Sequence, residues 1–123
     1  INLNILGKEK MALLGRNGSG KSTIMNALCG RSNVVTRGEW KFPALENIGY
    51  LDQHYAVLDR NLSVFEDMKK VRPDWEDRRV REHLNSFLFR KNLELENKTE
   101  SLSGGERVRL ALAKIAAKQP RIL

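Results

Sequence analysis

Residues 15–22 read Gly15-Arg16-Asn17-Gly18-Ser19-Gly20-Lys21-Ser22, which satisfies G-x-x-x-x-G-K-[ST] at every position. That pattern suits a polyanion wrapped at close range by backbone N–H groups. Glycines at 15, 18 and 20 permit turns with positive φ and leave no Cβ in the way. A helix that follows directs its positive N-terminal end at the anion. Lys21 supplies a mobile cation, the Ser22 hydroxyl suits Mg²⁺, and Thr23 is placed to reach a third phosphate. The ligand needing all of these is a nucleoside triphosphate, so Gly15 to Thr23 are the candidate nucleotide-binding residues. A glycine-rich turn that binds nothing is the plainer reading. An apolar run before the loop and a helical run after it argue against that reading.

A second constellation is Leu102-Ser103-Gly104-Gly105-Glu106. Ser103 and Glu106 have the spacing of a capping box, in which each side chain closes the other residue's free backbone N–H. Capping does not explain two glycines in the first turn, each costing about 1 kcal/mol relative to alanine. Glycines there make sense if an anion approaches that helix end as well.

The elements that must carry these motifs are legible from periodicity. Ile1, Leu3 and Ile5 alternate with polar residues as in a strand, and Met11-Ala12-Leu13-Leu14 reads as a strand buried on both faces. Lys21–Leu28 reads as a helix with Gly30 as its stop and Cys29 packed near its end. Segments 38–42 and 47–51 read as short strands around Pro43. Ser63-Val64-Phe65-Glu66 is another capping box. Val80, Leu84, Phe87 and Leu88 form one helical stripe, and a last helix spans about 103–118 with Val108, Leu112 and Ile115 on one side. Arg107, Lys114 and Lys118 share another face, Pro120 ends the helix, and Arg121-Ile122-Leu123 opens a strand.

At 123 residues the chain is one domain or part of one. With 41% hydrophobic and 30% charged residues it has material for a core, and no apolar run approaches the ~20 residues of a membrane span. One cysteine excludes a disulfide framework and any multi-cysteine metal site. The +7 charge fits a nucleic-acid or nucleotide partner. The chain is expected to be soluble and cytoplasmic.

The loop and the Leu102–Glu106 pentapeptide together resemble the nucleotide-binding domain of ATP-binding cassette (ABC) ATPases. Gln53, after Ile48-Gly49-Tyr50-Leu51, stands where that family has its Q-loop glutamine, and 49 residues separate it from Leu102. The resemblance covers nearly the whole chain. It implies an α/β fold: a truncated P-loop NTPase (ABC cassette) core with a helical subdomain insert. Residues 1–53 would be the core part with the phosphate loop (Walker A) and Q-loop, 54–101 the helical subdomain, and 102–123 the signature helix returning to the core. It also implies ATP on Gly15 to Thr23 with Lys21 at the β- and γ-phosphates, and Mg²⁺ on Ser22 and Gln53. The signature residues Leu102, Ser103, Gly104, Gly105 and Glu106 would face the ATP of a second cassette, with Ser103 to Gly105 at its γ-phosphate. Segments 49–54, 62–66 and 104–113 look like the ABC-F group, soluble tandem-cassette proteins that act on ribosomes. That resemblance implies ribosome or RNA contact and no direct membrane insertion.

Beyond Leu123 the family pattern continues into the Walker B Asp and catalytic Glu, so no catalytic residue is expected in this chain. His54 and His83 stand in the wrong places for the switch histidine, and Trp40, Tyr50 and Tyr55 read as packing residues rather than as an adenine platform. The chain is therefore expected to be a piece of a longer ATPase, inactive alone and prone to self-association through an exposed sheet edge. The main alternative is the motor subunit of an ABC transporter, whose 63–95 surface would carry an apolar groove. A small P-loop kinase has no use for Leu102 to Glu106. An RNA-binding module would use Arg78, Arg79, Arg81, Arg90 and Lys91, a cluster that also reads as a solvated helix face.

Overall fold

The computed structural model describes residues 4–5, 7, 9–31, 37–41, 43–52 and 54–123. Ile1, Leu3, Phe42 and Gln53 lie outside these, and with them most of the expected opening strand. The chain forms two compact units, 1–42 and 43–123.

In the first unit the phosphate-loop sequence leads directly into α1 (Lys21–Leu28). Gly20 is its N-cap in the left-handed region, at φ 89°. The helix stops as its sequence predicts. Gly30 takes φ 59° and donates to the Ala27 carbonyl, while the Arg31 N–H reaches back to Asn26. This is a Schellman closure with glycine at the left-handed position. Cys29 at the C-cap is half-buried, and desolvation pushes its thiol up against the pull of Arg31, which suits packing rather than reactivity. The expected strand at Met11–Leu14 differs from what is found. No strand forms there, and Leu14 is 88% exposed. A strand buried on both faces needs a partner on each edge, and the described residues of this unit supply none.

The second unit is helical. It comprises α2 (Val64–Val71), α3 (Asp77–Ser86), α4 (Asn92–Glu96) and α5 (Gly104–Ala117), with single 3₁₀ turns at Leu45–Asn47 and Thr99–Ser101. Val64 and Met68 of α2, Val80 and Leu84 of α3, Leu95 of α4, and Leu110, Ala113 and Ala117 of α5 share one core with Trp75, Phe89 and Leu102. The small residues of α5 let α2 and α3 approach it closely. Arg72, one residue past α2, donates to the Ala117 carbonyl at 3.1 Å and holds Asp74 with two hydrogen bonds. It thereby satisfies a carbonyl that the end of α5 leaves open.

Two segments far apart in sequence meet in parallel. Ile48 bridges Ile122, Arg121 donates to the Asn47 carbonyl at 2.7 Å, and Gly49 donates to that of Ile122 at 2.7 Å. The strand starts expected at 47–51 and 121–123 thus lie side by side, although among the described residues pairing stops at this single bridge. Gly49 is needed because α5 comes so close. A Cβ there would lie 2.5 Å from Cγ2 of Ile115 and 2.9 Å from Cγ of Pro120.

Two expectations need correction. The α3 stripe ends before Leu88, which is 49% exposed at φ 69°. Leu88 occupies the left-handed position of a second Schellman closure, with its own N–H on Asn85 and the Phe89 N–H on Leu84. Phe89 and Leu84 then meet in the core, so burial of the phenyl ring holds a leucine where glycine is usual. Lys114, expected on one face with Arg107 and Lys118, is buried whereas Lys118 is exposed. Lys114 is 4% exposed and donates to Oδ1 of fully buried Asp67 at 2.5 Å and to the Val57 carbonyl. Asp67 lies on the same α2 stripe as Val64, Met68 and Val71, so the helix that buries those side chains buries the carboxylate too. Burial raises its carboxyl above the usual range, against the lowering pull of Lys114.

Leu88→Gly should raise stability by about 1 kcal/mol, because the left-handed backbone no longer opposes a Cβ. Gly49→Ala should lower it by about 1–3 kcal/mol through overpacking against Ile115 and Pro120. Denaturant midpoints read both, and an unchanged midpoint in either would refute the corresponding assignment.

Candidate functional site

The phosphate loop folds on itself through Lys21. Its ammonium donates to the carbonyls of Gly15 at 2.8 Å and Arg16 at 2.7 Å, and lies 3.5 Å from Oγ of Ser19. Gly15 is close-packed within the loop, since a Cβ there would lie 2.6 Å from Oγ of Ser19. Gly18 and Gly20 have φ of 82° and 89°, and a Cβ on either would meet nothing. These two are glycines for backbone conformation, whereas Gly15 is one for space.

The first turn of α1 has no side-chain cap and no acidic residue. Uncapped N–H groups, the helix dipole and the Lys21 ammonium gather positive character at one place, with no acidic residue in the first turn of the helix. The surroundings fit a phosphate chain. Ser22 and Thr23, both exposed, bring hydroxyl oxygens of the kind Mg²⁺ and phosphate take.

The other helix bearing a motif is closed by its own chain. Ser103 is the N-cap of α5. The Glu106 carboxylate accepts from the Ser103 N–H at 2.8 Å and from its hydroxyl at 2.5 Å, and the Glu106 N–H donates to Oγ of Ser103 at 3.4 Å. The hydroxyl bond first, then the backbone bond and the nearby charge of Arg109, hold the Glu106 carboxyl below the usual carboxylate range. Gly104 and Gly105 have ordinary helical backbone, and a Cβ on either would meet nothing within 4 Å. Among the described residues, neither packing nor backbone conformation requires these two glycines. The space over the first turn of α5 is open.

The arginine cluster is largely occupied. Arg78 pairs with Glu82, Arg79 lies over the Trp75 ring, and Arg81 lies over Phe65 while donating to Asn92. His83 donates through Nε2 to the Ala113 carbonyl at 2.8 Å, between the rings of Trp75 and Phe87, so it serves packing. Trp40 is 42% exposed with its indole N–H on the Arg37 carbonyl. Gln53 lies outside the described residues. Its neighbours form a tight turn in which Asp52 Oδ1 accepts from the N–H groups of His54 and Ala56. Asp67 was not among the residues that the sequence singled out, and Lys114 was placed there only on a face with Arg107 and Lys118. The available signal was a lysine inside the apolar run 110–117 and an aspartate at stripe spacing in α2.

A phosphate loop on an open helix end and a glycine-bearing, self-capped second helix define a P-loop nucleotide-binding domain. The sequence profile of the ABC transporter family matches residues 1–123, and the chain belongs to that family. Among its relatives are the probable ATP-binding protein YheS of Haemophilus influenzae, 34% identical over 100% of this chain and 19% of the relative, and the ATP-binding protein Uup of Buchnera aphidicola, 35% identical over 94% of this chain and 20% of the relative. A third is the sulfate/thiosulfate import ATP-binding protein CysA of Pseudomonas putida, 33% identical over 100% of this chain and 42% of the relative. The chain thus spans about a fifth of the length of the first two. No solved structure matches it.

The Glu106 bonds to Ser103 carry a pH signature. A carboxyl whose folded pKa is depressed contributes stability above its unfolded value, about 4.3, and loses it as pH falls through the folded value. Glu106→Gln keeps an acceptor for the Ser103 N–H but does not titrate there. Its stability should therefore fall less steeply than wild type on acidification, as read by urea midpoints at a series of pH values. Parallel slopes would mean that the carboxylate is not held in this way.

Proposed function

We propose that this chain is the ATP-binding cassette domain of a soluble ATPase of the ABC-F type, with an α/β core to which the 54–101 segment adds a helical subdomain. In this reading Gly15 to Thr23 take the ATP phosphates, Lys21 exchanges its loop carbonyls for the β- and γ-phosphates, and Ser22 with Gln53 would hold Mg²⁺. When bound, the ion screens charge on the phosphates. Ser103, Gly104 and Gly105 meet the ATP of a second cassette, and hydrolysis is an activity of the complete pair of cassettes. The observation that carries the reading is the loop itself, which gathers an ammonium and an uncapped helix end with no acid in its first turn. The open space over Gly104 and Gly105 supports the second contact.

Action on the ribosome follows the ABC-F resemblance of segments 49–54, 62–66 and 104–113, and the similarity to YheS and Uup supports that branch. The second reading, a transporter's motor subunit, is favoured by the similarity to CysA, whose name states import. On the 63–95 surface that would meet a membrane partner, the large apolar side chains left exposed are Leu88 and Leu93, which favours the first reading. No helix among the described residues is long and apolar enough to cross a membrane.

Calorimetry with ATP and Mg²⁺ tests the core of this reading. Wild type should bind, and Lys21→Ala should weaken binding by about tenfold or more, the value of one well-placed charge-assisted contact. Equal binding by both proteins would refute it.

A further inference from the structure

A cleft of about 290 Å³ lies between the start of α3 and the end of α5, within the helical unit. Trp75, Arg79, Glu82 and His83 line it from one side of the sequence, Ala116 and Gln119 from the other. The volume stands at the small end of the range for ligand sites. Its apolar surface comes from the indole and the alanines, and no large apolar side chain is left exposed on its walls.

The charges around this cleft are paired except for one. Arg72 takes Asp74 with two hydrogen bonds, Lys69 takes Asp77 at 3.1 Å, and Arg78 takes Glu82 at 2.8 Å. The Arg79 guanidinium lies 4.5 Å from the centre of the Trp75 ring. It makes no hydrogen bond or ion pair among the described residues, with Glu76 three positions before it or with any other acid. A second donor is also unanswered. Trp75 is 5% exposed, and its indole N–H is buried with no hydrogen-bond partner among the described residues, whereas buried indoles ordinarily have one. Gln119, just past α5, holds the left-handed region at φ 51°. Its side-chain amide makes no hydrogen bond among the described residues. Three side-chain donors without acceptors thus gather on one small cleft. The ligand that answers them is an anion with two acceptor oxygens. One unpaired guanidinium beside the paired Glu82 suits a single negative charge, and the nearly double charge of a phosphate suits it less.

We propose that this cleft binds a small organic carboxylate. One oxygen goes to the Arg79 guanidinium and the other to the Trp75 N–H, Gln119 donates at the rim, and the apolar part of the ligand lies along the indole and Ala116. The indole N–H is covered, so Arg79 shifts across the ring as the carboxylate enters, and it has no hydrogen bond to break in doing so. A protein segment would need a wider face and a large apolar anchor, which these walls do not offer. The proposal does not depend on the nucleotide reading.

The test follows the indole N–H signal of Trp75 in the full-length protein by ¹⁵N NMR, with benzoate as the probe. Benzoate should shift that signal saturably, with a Kd of roughly 1–10 mM for so few atoms. The Trp40 N–H, bonded to the Arg37 carbonyl, should stay in place. Arg79→Gln, an exposed substitution that should melt with wild type, should weaken binding by about tenfold or more. Benzyl alcohol, which keeps the ring without the charge, and inorganic phosphate should each bind about tenfold more weakly than benzoate. An unmoved Trp75 signal at about 50 mM benzoate would overturn the proposal. So would equal benzoate affinity in Arg79→Gln, or equal affinity of wild type for benzyl alcohol or phosphate. Tighter binding of an acidic hexapeptide than of benzoate would overturn the small-molecule assignment in favour of a protein partner.

Discussion

The packing of residues 43–123 turns on one buried ammonium. Taking Lys114 and Asp67 out of water costs several kcal/mol per ion, and their mutual attraction offsets this only at close range with further hydrogen bonds. The 2.5 Å contact and the bond to Val57 meet that condition for the ammonium, while Oδ2 of Asp67 is buried with no hydrogen-bond partner among the described residues. It constrains everything around it. α2 must present Asp67 inward, α5 must run past it at residue 114, and the loop before α2 must bring a carbonyl to the same point. The small residues of α5 make this possible, because Ala111, Ala113 and Ala117 keep the neighbouring chain close enough for a lysine to reach across.

The two helices that carry motifs treat their N-termini in opposite ways. α5 is closed by a Ser103–Glu106 box whose carboxylate offsets the helix end, and α2 is closed in the same manner by Ser63 and Glu66. α1 has glycine at the N-cap, no acid in its first turn, and a lysine folded over the loop before it. A structural helix gains from satisfying its own free N–H groups, whereas a phosphate-binding helix must leave them for the ligand. The contrast between these ends is between a helix start satisfied by its own chain and one that its side chains leave uncapped. It also bears on Gly104 and Gly105, which lie in a capped helix yet face open space.

Local chemistry made some parts of the structure legible. The bounds of α1, the stop at Gly30, both capping boxes and the 104–117 helix follow from residues within a few positions of one another, as propensity, caps and periodicity do. The meeting of 47–49 with 121–122 was implied only by two apolar starts, and its parallel register depends on α5 returning the chain to that place. The strands expected at 11–14 and 38–42 do not form among the described residues, for a physical reason. A strand is defined by neighbours that its own sequence does not contain.

The sequence by itself determined the phosphate loop, the signature pentapeptide and the family, because each is a matter of residue types at short, fixed spacing. Tertiary structure alone decided that Lys114 is buried, that Leu88 turns outward in a left-handed conformation, that Gly49 is required by Ile115 and Pro120, and that most arginines of the basic cluster are held by aromatic rings and acids. Those outcomes depend on which surfaces meet. An amphipathic lysine presents the same pattern whether its ammonium ends in water or on a buried carboxylate, and only the packing of α2 against α5 distinguishes the two.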